Sequence, residues 1–147
     1  MLDLKTMTYI QSEAEFNRAK SRGFWEIIFS RVVGRRPHLL PLDQVINSAQ
    51  FEPATYQGLQ DVRLEQIVGS AGRQGDFTHR FAPCAGDERS KERWRLIYTL
   101  AVSGAGFPPV ELYQVGDRYF VQNGHHRISV AATLGWPTIQ AYVTIVR

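Results

Sequence analysis

The run Pro109-Val-Glu-Leu-Tyr-Gln-Val115, Gly116-Asp117, Arg118-Tyr-Phe-Val-Gln-Asn-Gly-His-His-Arg-Ile-Ser-Val-Ala-Ala-Thr-Leu-Gly135 changes its hydrophobic period once, and that change decides the fold. Up to Val121 the apolar residues alternate, with Gly116-Asp117 as a two-residue turn, which reads as a β-hairpin. After Asn123-Gly124 the period becomes about 3.6: Ile128, Val130, Ala131, Ala132 and Leu134 cover a helix that Gly135 ends. A last strand over Thr138–Val146 follows. A hairpin, a helix and a returning strand make a small mixed-sheet α+β domain.

Upstream, Trp94, Ile97, Tyr98 and Ala101 form a helical stripe capped by Ser90 and ended by Gly104 or Gly106. Between Gly69 and Asp87 periodicity is lost in a glycine-punctuated loop, long enough to suggest a functional element. Asp61–Gly69 reads as a short strand running into a turn, with Val62, Leu64 and Ile67 pointing inward. At the start of the chain, Ser12 and Glu15 have capping-box spacing, and the apolar positions from Phe16 to Val32 predict a helix bent at Gly23 and stopped at Gly34. A second short helix is expected after Pro41, so that residues 1–57 form a helical N-terminal extension and residues 58–147 the core.

The chain has 147 residues, 44% hydrophobic and 21% charged, which describes an ordinary globular protein of one core with a small appendage. The net charge of +3 permits an anionic partner without requiring one. That excess sits in residues 1–40, where seven basic residues meet four acidic ones. No apolar run is long enough for a membrane span or a signal peptide, so the expectation is a cytoplasmic protein with no membrane partner. The single cysteine, Cys84, excludes an internal disulfide, and no structural zinc is expected.

The chemistry is concentrated in Asn123-Gly124-His125-His126-Arg127. A strand-to-helix junction offers unpaired backbone N–H groups and the positive end of the helix dipole, an anion site before any side chain is counted. Gly124 permits a sharp turn and close approach, and Arg127 offers a planar fork suited to phosphate oxygens. Three cationic or potentially cationic side chains at a helix start oppose the dipole, a conflict that a bound anion relieves. The alternative is an ordinary turn, with Arg127 paired to Glu111 or Asp117.

With the upstream segment Val62-Arg-Leu-Glu-Gln-Ile67 and the Trp94 helix, the run from Pro108 to Gly135 resembles the ParB/sulfiredoxin N-terminal-like superfamily, over about three fifths of the chain. The resemblance implies a ParB/sulfiredoxin-like core with a nucleotide or phosphate pocket at Gly124–Arg127, taking CTP or ATP with Mg²⁺. Sulfiredoxins carry Gly-Cys-His-Arg at this turn. Here His126 and Arg127 match, while His125 stands at the position of the nucleophilic cysteine, so reduction of a sulfinic acid is not expected. Partition proteins of the ParB kind continue into a helix-turn-helix region that has no counterpart here, and the superfamily also includes free-serine kinases and ParB-like nucleases.

In this fold the Gly69–Asp87 loop lies near the pocket, so Arg73 and Arg80 are candidate phosphate contacts and Asp76 a candidate for Mg²⁺ or a proton. Three functions remain open. A nucleotide-responsive regulatory module needs only the anion turn. A small phosphoryl-transfer enzyme, a kinase or NTPase, needs a base, for which His125 and Asp76 are the candidates. A nuclease or nonspecific DNA-binding protein would add backbone contacts from Arg31, Arg35 and Arg36 on the basic N-terminal helix. Phe24, Trp25, Ile27, Ile28, Phe29 and Val32 put apolar side chains on more than one face of that helix, which predicts a homodimer.

Overall fold

A computed structural model describes residues 3–46, 53–84 and 87–146. They form a mixed six-stranded sheet with helices stacked over it. In chain order the elements are α1 (Leu4–Val32), β1 (Leu40–Pro41), β2 (Pro53–Arg63), β3 (Ile67–Ser70), α2 (Glu88–Val102), β4 (Val110–Val115), β5 (Arg118–Asn123), α3 (His125–Thr133) and β6 (Thr138–Val146). Across the sheet the order is β1-β3-β5-β4-β6-β2. The β1–β3, β3–β5 and β4–β6 pairs are parallel, while β4–β5 and β2–β6 are antiparallel.

The hairpin, α3 and β6 form where the change of period places them. Gly116 turns the hairpin with φ +63°, and Gly135 ends α3 with φ +76°. Helix α3 is buried on both sides. Ile128 and Ala131 join Val110, Leu112, Val121, Ala141 and Val143 in the core beneath it, whereas Val130 packs with Phe16, Ala19 and Trp94 of the helices above. The molecule is therefore layered as sheet, then α3, then α1 with α2. Trp94 is fully buried and its indole N–H donates to Ser129 Oγ at 3.0 Å, which ties α2 to α3. Tyr142, by contrast, is 40% exposed.

The N-terminal half departs from its sequence reading. Helix α1 begins at Leu4, capped by Asp3, whose carboxylate accepts from Thr6 N at 2.7 Å. Ser12 does not cap it; this serine is buried in mid-helix, where its hydroxyl donates to the Tyr9 carbonyl and accepts from Arg95 Nε. The helix runs through Gly23, where glycine permits a close approach: a Cβ there would lie 2.8 Å from the Pro83 carbonyl oxygen. Gly34, at φ +75°, does end the helix. Past Pro41 there is a single 3-10 turn, Leu42–Gln44; residues 47–49 of the expected second helix lie outside the described residues. Similarly, Asp87 rather than Ser90 caps α2, accepting from Ser90 N at 2.9 Å.

The division drawn between residues 57 and 58 falls inside β2, and β1, from the N-terminal side of that line, is an edge strand of the same sheet. Strand β2 pairs with β6 along its length, with register irregularities between Pro53 and Thr55 and between Tyr56 and Gly58. No helix of the described residues is long and apolar enough to cross a membrane.

Candidate functional site

Strands β3 and β5 are parallel neighbours, so their C-terminal ends open on the same edge of the sheet. Ser70 ends β3 and Asn123 ends β5; the chain then turns into the Gly72–Arg73 loop on one side and into α3 on the other. This is where ligands settle in open α/β sheets. A cleft of about 550 Å³ lies here, walled on its polar side by Arg73, Arg93, Asn123, His125, His126 and Arg127 and on its apolar side by Ile97, Leu100, Phe107 and Pro108. Its volume is in the range of small-molecule sites.

Gly124 makes the turn from β5 into α3. It is the N-cap of α3 in the left-handed region, φ +119° and ψ 25°, and it provides no side-chain cap. The first intrahelical bond runs from Ile128 N to Gly124 O at 3.0 Å, so the N–H groups of His125, His126 and Arg127 have no acceptor within the helix. A left-handed residue followed by right-handed ones turns such N–H groups toward one point, an anion-binding concavity.

The histidines differ from their sequence reading. Both are buried, and Phe77 from the loop stacks on His125, with ring centroids 5.9 Å apart, and meets His126 edge-on at 5.6 Å. Burial, reinforced by the Arg73 guanidinium, pushes the His125 pKa down to about 4; burial with Arg73 and Arg93 does the same for His126. Both rings are neutral at pH 7, so they do not oppose the helix dipole. The expected conflict reduces to Arg127 alone.

Hydrogen bonding also fixes the His125 tautomer. Ser70 Oγ accepts from Gly72 N at 3.1 Å and from Arg73 N at 3.0 Å, which fills its lone pairs, so its hydrogen goes to His125 Nε2 at 2.7 Å. His125 therefore carries its proton on Nδ1. Among the described residues Nδ1 has no partner, and His125 is one of the residues that line the cleft. His126 Nε2 shares a hydrogen bond with Ser90 Oγ at 2.7 Å.

Arg127 is half-spent on structure. Its Nη1 donates to the carbonyls of Pro108 at 3.1 Å and Pro109 at 2.8 Å, clamping the segment that enters β4; it makes no ion pair with Glu111 or Asp117. Arg73 lines the cleft and pairs with Asp76 through Nε and Nη2, each at 3.0 Å. An Mg²⁺ ion brought by a triphosphate would find the Asp76 carboxylate already engaged, and among the described residues no group of three or more His, Cys, Asp and Glu side chains is placed to hold a metal. Arg80 is not in this cleft. The turn Thr78–Phe81 carries it toward α1, where it lines a different groove. Arg31, Arg35 and Arg36 are all exposed, and Arg36 donates to Gln44 Oε1 at 2.9 Å.

Sequence reasoning missed Arg93, Ser70 and Ser90. Arg93 adjoins Trp94 on α2, so the stripe that identified the helix also implied a polar flank. Ser70 gave no signal, because its role depends on a partner 55 residues away. Cys84 is a free, half-buried thiol whose pKa is pushed up to about 11 by burial and by Asp76 and Glu26.

No protein-family model matches the chain, and no curated protein matches it. Among solved structures the chain is similar to a sulfiredoxin from Arabidopsis thaliana, at 19% identity over 59% of this chain and 84% of that one, with a TM-score of 0.41. At that score, the reading of this chain rests on its own geometry.

Proposed function

We propose that the cleft at the β5–α3 junction binds a phosphate-bearing ligand, and that a nucleotide suits its lining best. What supports this is the uncapped first turn of α3, which leaves the N–H groups of His125, His126 and Arg127 without helical acceptors beside a cleft lined by Arg73, Arg93 and Arg127. Phosphate oxygens take the donors, and the apolar wall of Ile97, Leu100, Phe107 and Pro108 takes a base or sugar. The site is read as a binding site. His125 has its Nε2 occupied by Ser70 and a pKa of about 4, which makes it a poor general base near neutral pH.

Calorimetry with CTP, ATP, GTP and inorganic tripolyphosphate, each with and without Mg²⁺, tests the proposal. A nucleotide that binds more tightly than tripolyphosphate supports it in full. Equal binding of all four reduces the site to a phosphate cradle. Failure of every ligand to bind removes it. Product analysis on the same samples separates binding from a kinase or NTPase activity.

A further inference from the structure

A second groove, of about 350 Å³, lies between α1, residue 35 and the turn at residues 79–80, and its walls include Arg22, Trp25, Phe29, Arg35, His79 and Arg80. Trp25 and Phe29 sit one helical turn apart and are 63% and 62% exposed, an unusual exposure for such large rings. Phe24 meets Trp25 edge-on at 5.4 Å between ring centroids. Arg35 and Arg80 have no ion pair or hydrogen-bonded side-chain partner among the described residues, and Arg22 donates only to Thr133 Oγ1, at 3.1 Å. The one carboxylate in the lining, Glu26, is held by the Thr78 hydroxyl at 2.5 Å.

The groove is also built in advance. Thr78 is fully buried, and its hydroxyl accepts from Arg80 N at 3.3 Å and Ala82 N at 3.1 Å while donating to Glu26, so one side chain both shapes the turn and ties it to α1. His79 N donates to Pro37 O at 3.0 Å, which fixes the third wall. The turn closes through Phe81 at φ +65°, the one non-glycine residue with positive φ among those described, a costly conformation retained on the loop that presents Arg80.

We propose that this groove binds single-stranded nucleic acid, with bases stacking on Trp25 and Phe29 and the phosphodiester backbone running along Arg22, Arg35 and Arg80. Aromatic platforms interleaved with guanidinium groups are what an unpaired strand needs: each base offers a flat face and each linkage one charge. Arg31 and Arg36, exposed on the same stretch of chain, extend the positive field. Charge decides against a second copy of this chain. A two-fold contact through the patch would set these arginines against their own counterparts with one engaged carboxylate per copy to offset them. The site is independent of the nucleotide cleft and shares no lining residue with it.

Fluorescence anisotropy with labelled dT20 and rU20 and with a 20-bp duplex, at two salt concentrations, tests the assignment. The wild type should bind the single strands more tightly than the duplex. Trp25→Ala with Phe29→Ala should weaken that binding about tenfold or more. Arg35→Ala with Arg80→Ala should weaken it and flatten the salt dependence by about 0.7 per lost phosphate contact. Arg118→Ala, on the exposed β4–β5 hairpin and in the lining of neither cleft, should leave it unchanged. All substituted side chains are on the surface, and circular dichroism checks that each variant is folded. No strand binding, a preference for duplex, or affinity unchanged in both double variants overturns the proposal. Two results reassign the groove and also overturn it: a dimer in sedimentation that Trp25→Ala dissolves, or binding to phosphatidylglycerol vesicles through the same residues without strand binding.

Discussion

The Ser70 hydroxyl donates to His125 Nε2 at 2.7 Å while accepting two backbone N–H groups from the loop that follows β3. One hydroxyl thus joins the end of β3, the start of α3 and the mouth of the cleft. Ser70→Ala leaves a buried imidazole nitrogen and two N–H groups without their partner, and should cost roughly 1–3 kcal/mol of stability. Urea denaturation at pH 7 measures it; a loss well below this range would show that water replaces the hydroxyl.

The two histidines predict a pH dependence of defined sign. Unfolded, each has a pKa near 6.5; folded, each falls to about 4, so between these values the unfolded chain binds more protons. Their contribution is complete above pH 6.5 and is lost as pH falls toward 4. The carboxylates held below their usual values, Asp3, Glu13 and Asp87, act only below about pH 4.5. The urea midpoint should therefore drop between pH 6.5 and 4.5, and a His125→Gln, His126→Gln double variant should flatten that interval. Imidazole NMR titration should place both pKa values near 4 in the free protein and higher with a bound phosphate ligand.

Gly124→Ala should be a folding defect before it is a binding defect. A Cβ at this position would lie 2.5 Å from Val110 Cγ1 and 2.8 Å from Val110 Cβ, at a backbone φ of +119°. Strain and overpacking together should remove about 2 kcal/mol or more, read from thermal or urea unfolding.

The arginines of the cleft should separate by role. Arg93 is exposed, and Arg93→Ala should weaken ligand binding about 10-fold with no change in unfolding temperature. Arg127→Ala also releases the Pro108 and Pro109 carbonyls, so it should lower both affinity and stability. Paired calorimetry and thermal unfolding distinguish them, and identical profiles would refute the division.

Cys84 should resist alkylation. With a pKa of about 11, about a thousandth of the thiol is ionised at pH 8, and iodoacetamide should modify it far more slowly than an unfolded control. Mass spectrometry over a time course provides the rate.

The C-terminal half was legible because local signals agree with tertiary ones: the hairpin alternates, α3 has one apolar face toward the sheet, and Gly124 marks the junction. The N-terminal helix misled for a physical reason. Its buried face is made largely of Thr8, Ser12, Ala19, Gly23 and Ser30, while Phe24, Trp25, Phe29 and Val32 are exposed. From Phe24 onward apolar periodicity therefore traced the outer surface, and Ser12, whose partner is Arg95, looked like a cap. At the cleft, backbone and sequence agree on Gly124–Arg127, but the charge state of the histidines depends on Phe77, Ser70 and Ser90, which no local spacing reveals. Arg80 was misplaced because loop direction is set by Thr78 gripping Glu26 on α1.

Among the described residues strand β2 has one side unpaired along the sheet margin, a ready template for intermolecular stacking into fibrils. Its two register irregularities and the left-handed Gly58, φ +80°, interrupt the even row of amides over the first half, leaving a straight run from Leu59 to Arg63 that carries Asp61 and Arg63. A partner chain would find too short a length to zip onto, and charge within it. The crooked margin is a poor template for edge-to-edge pairing.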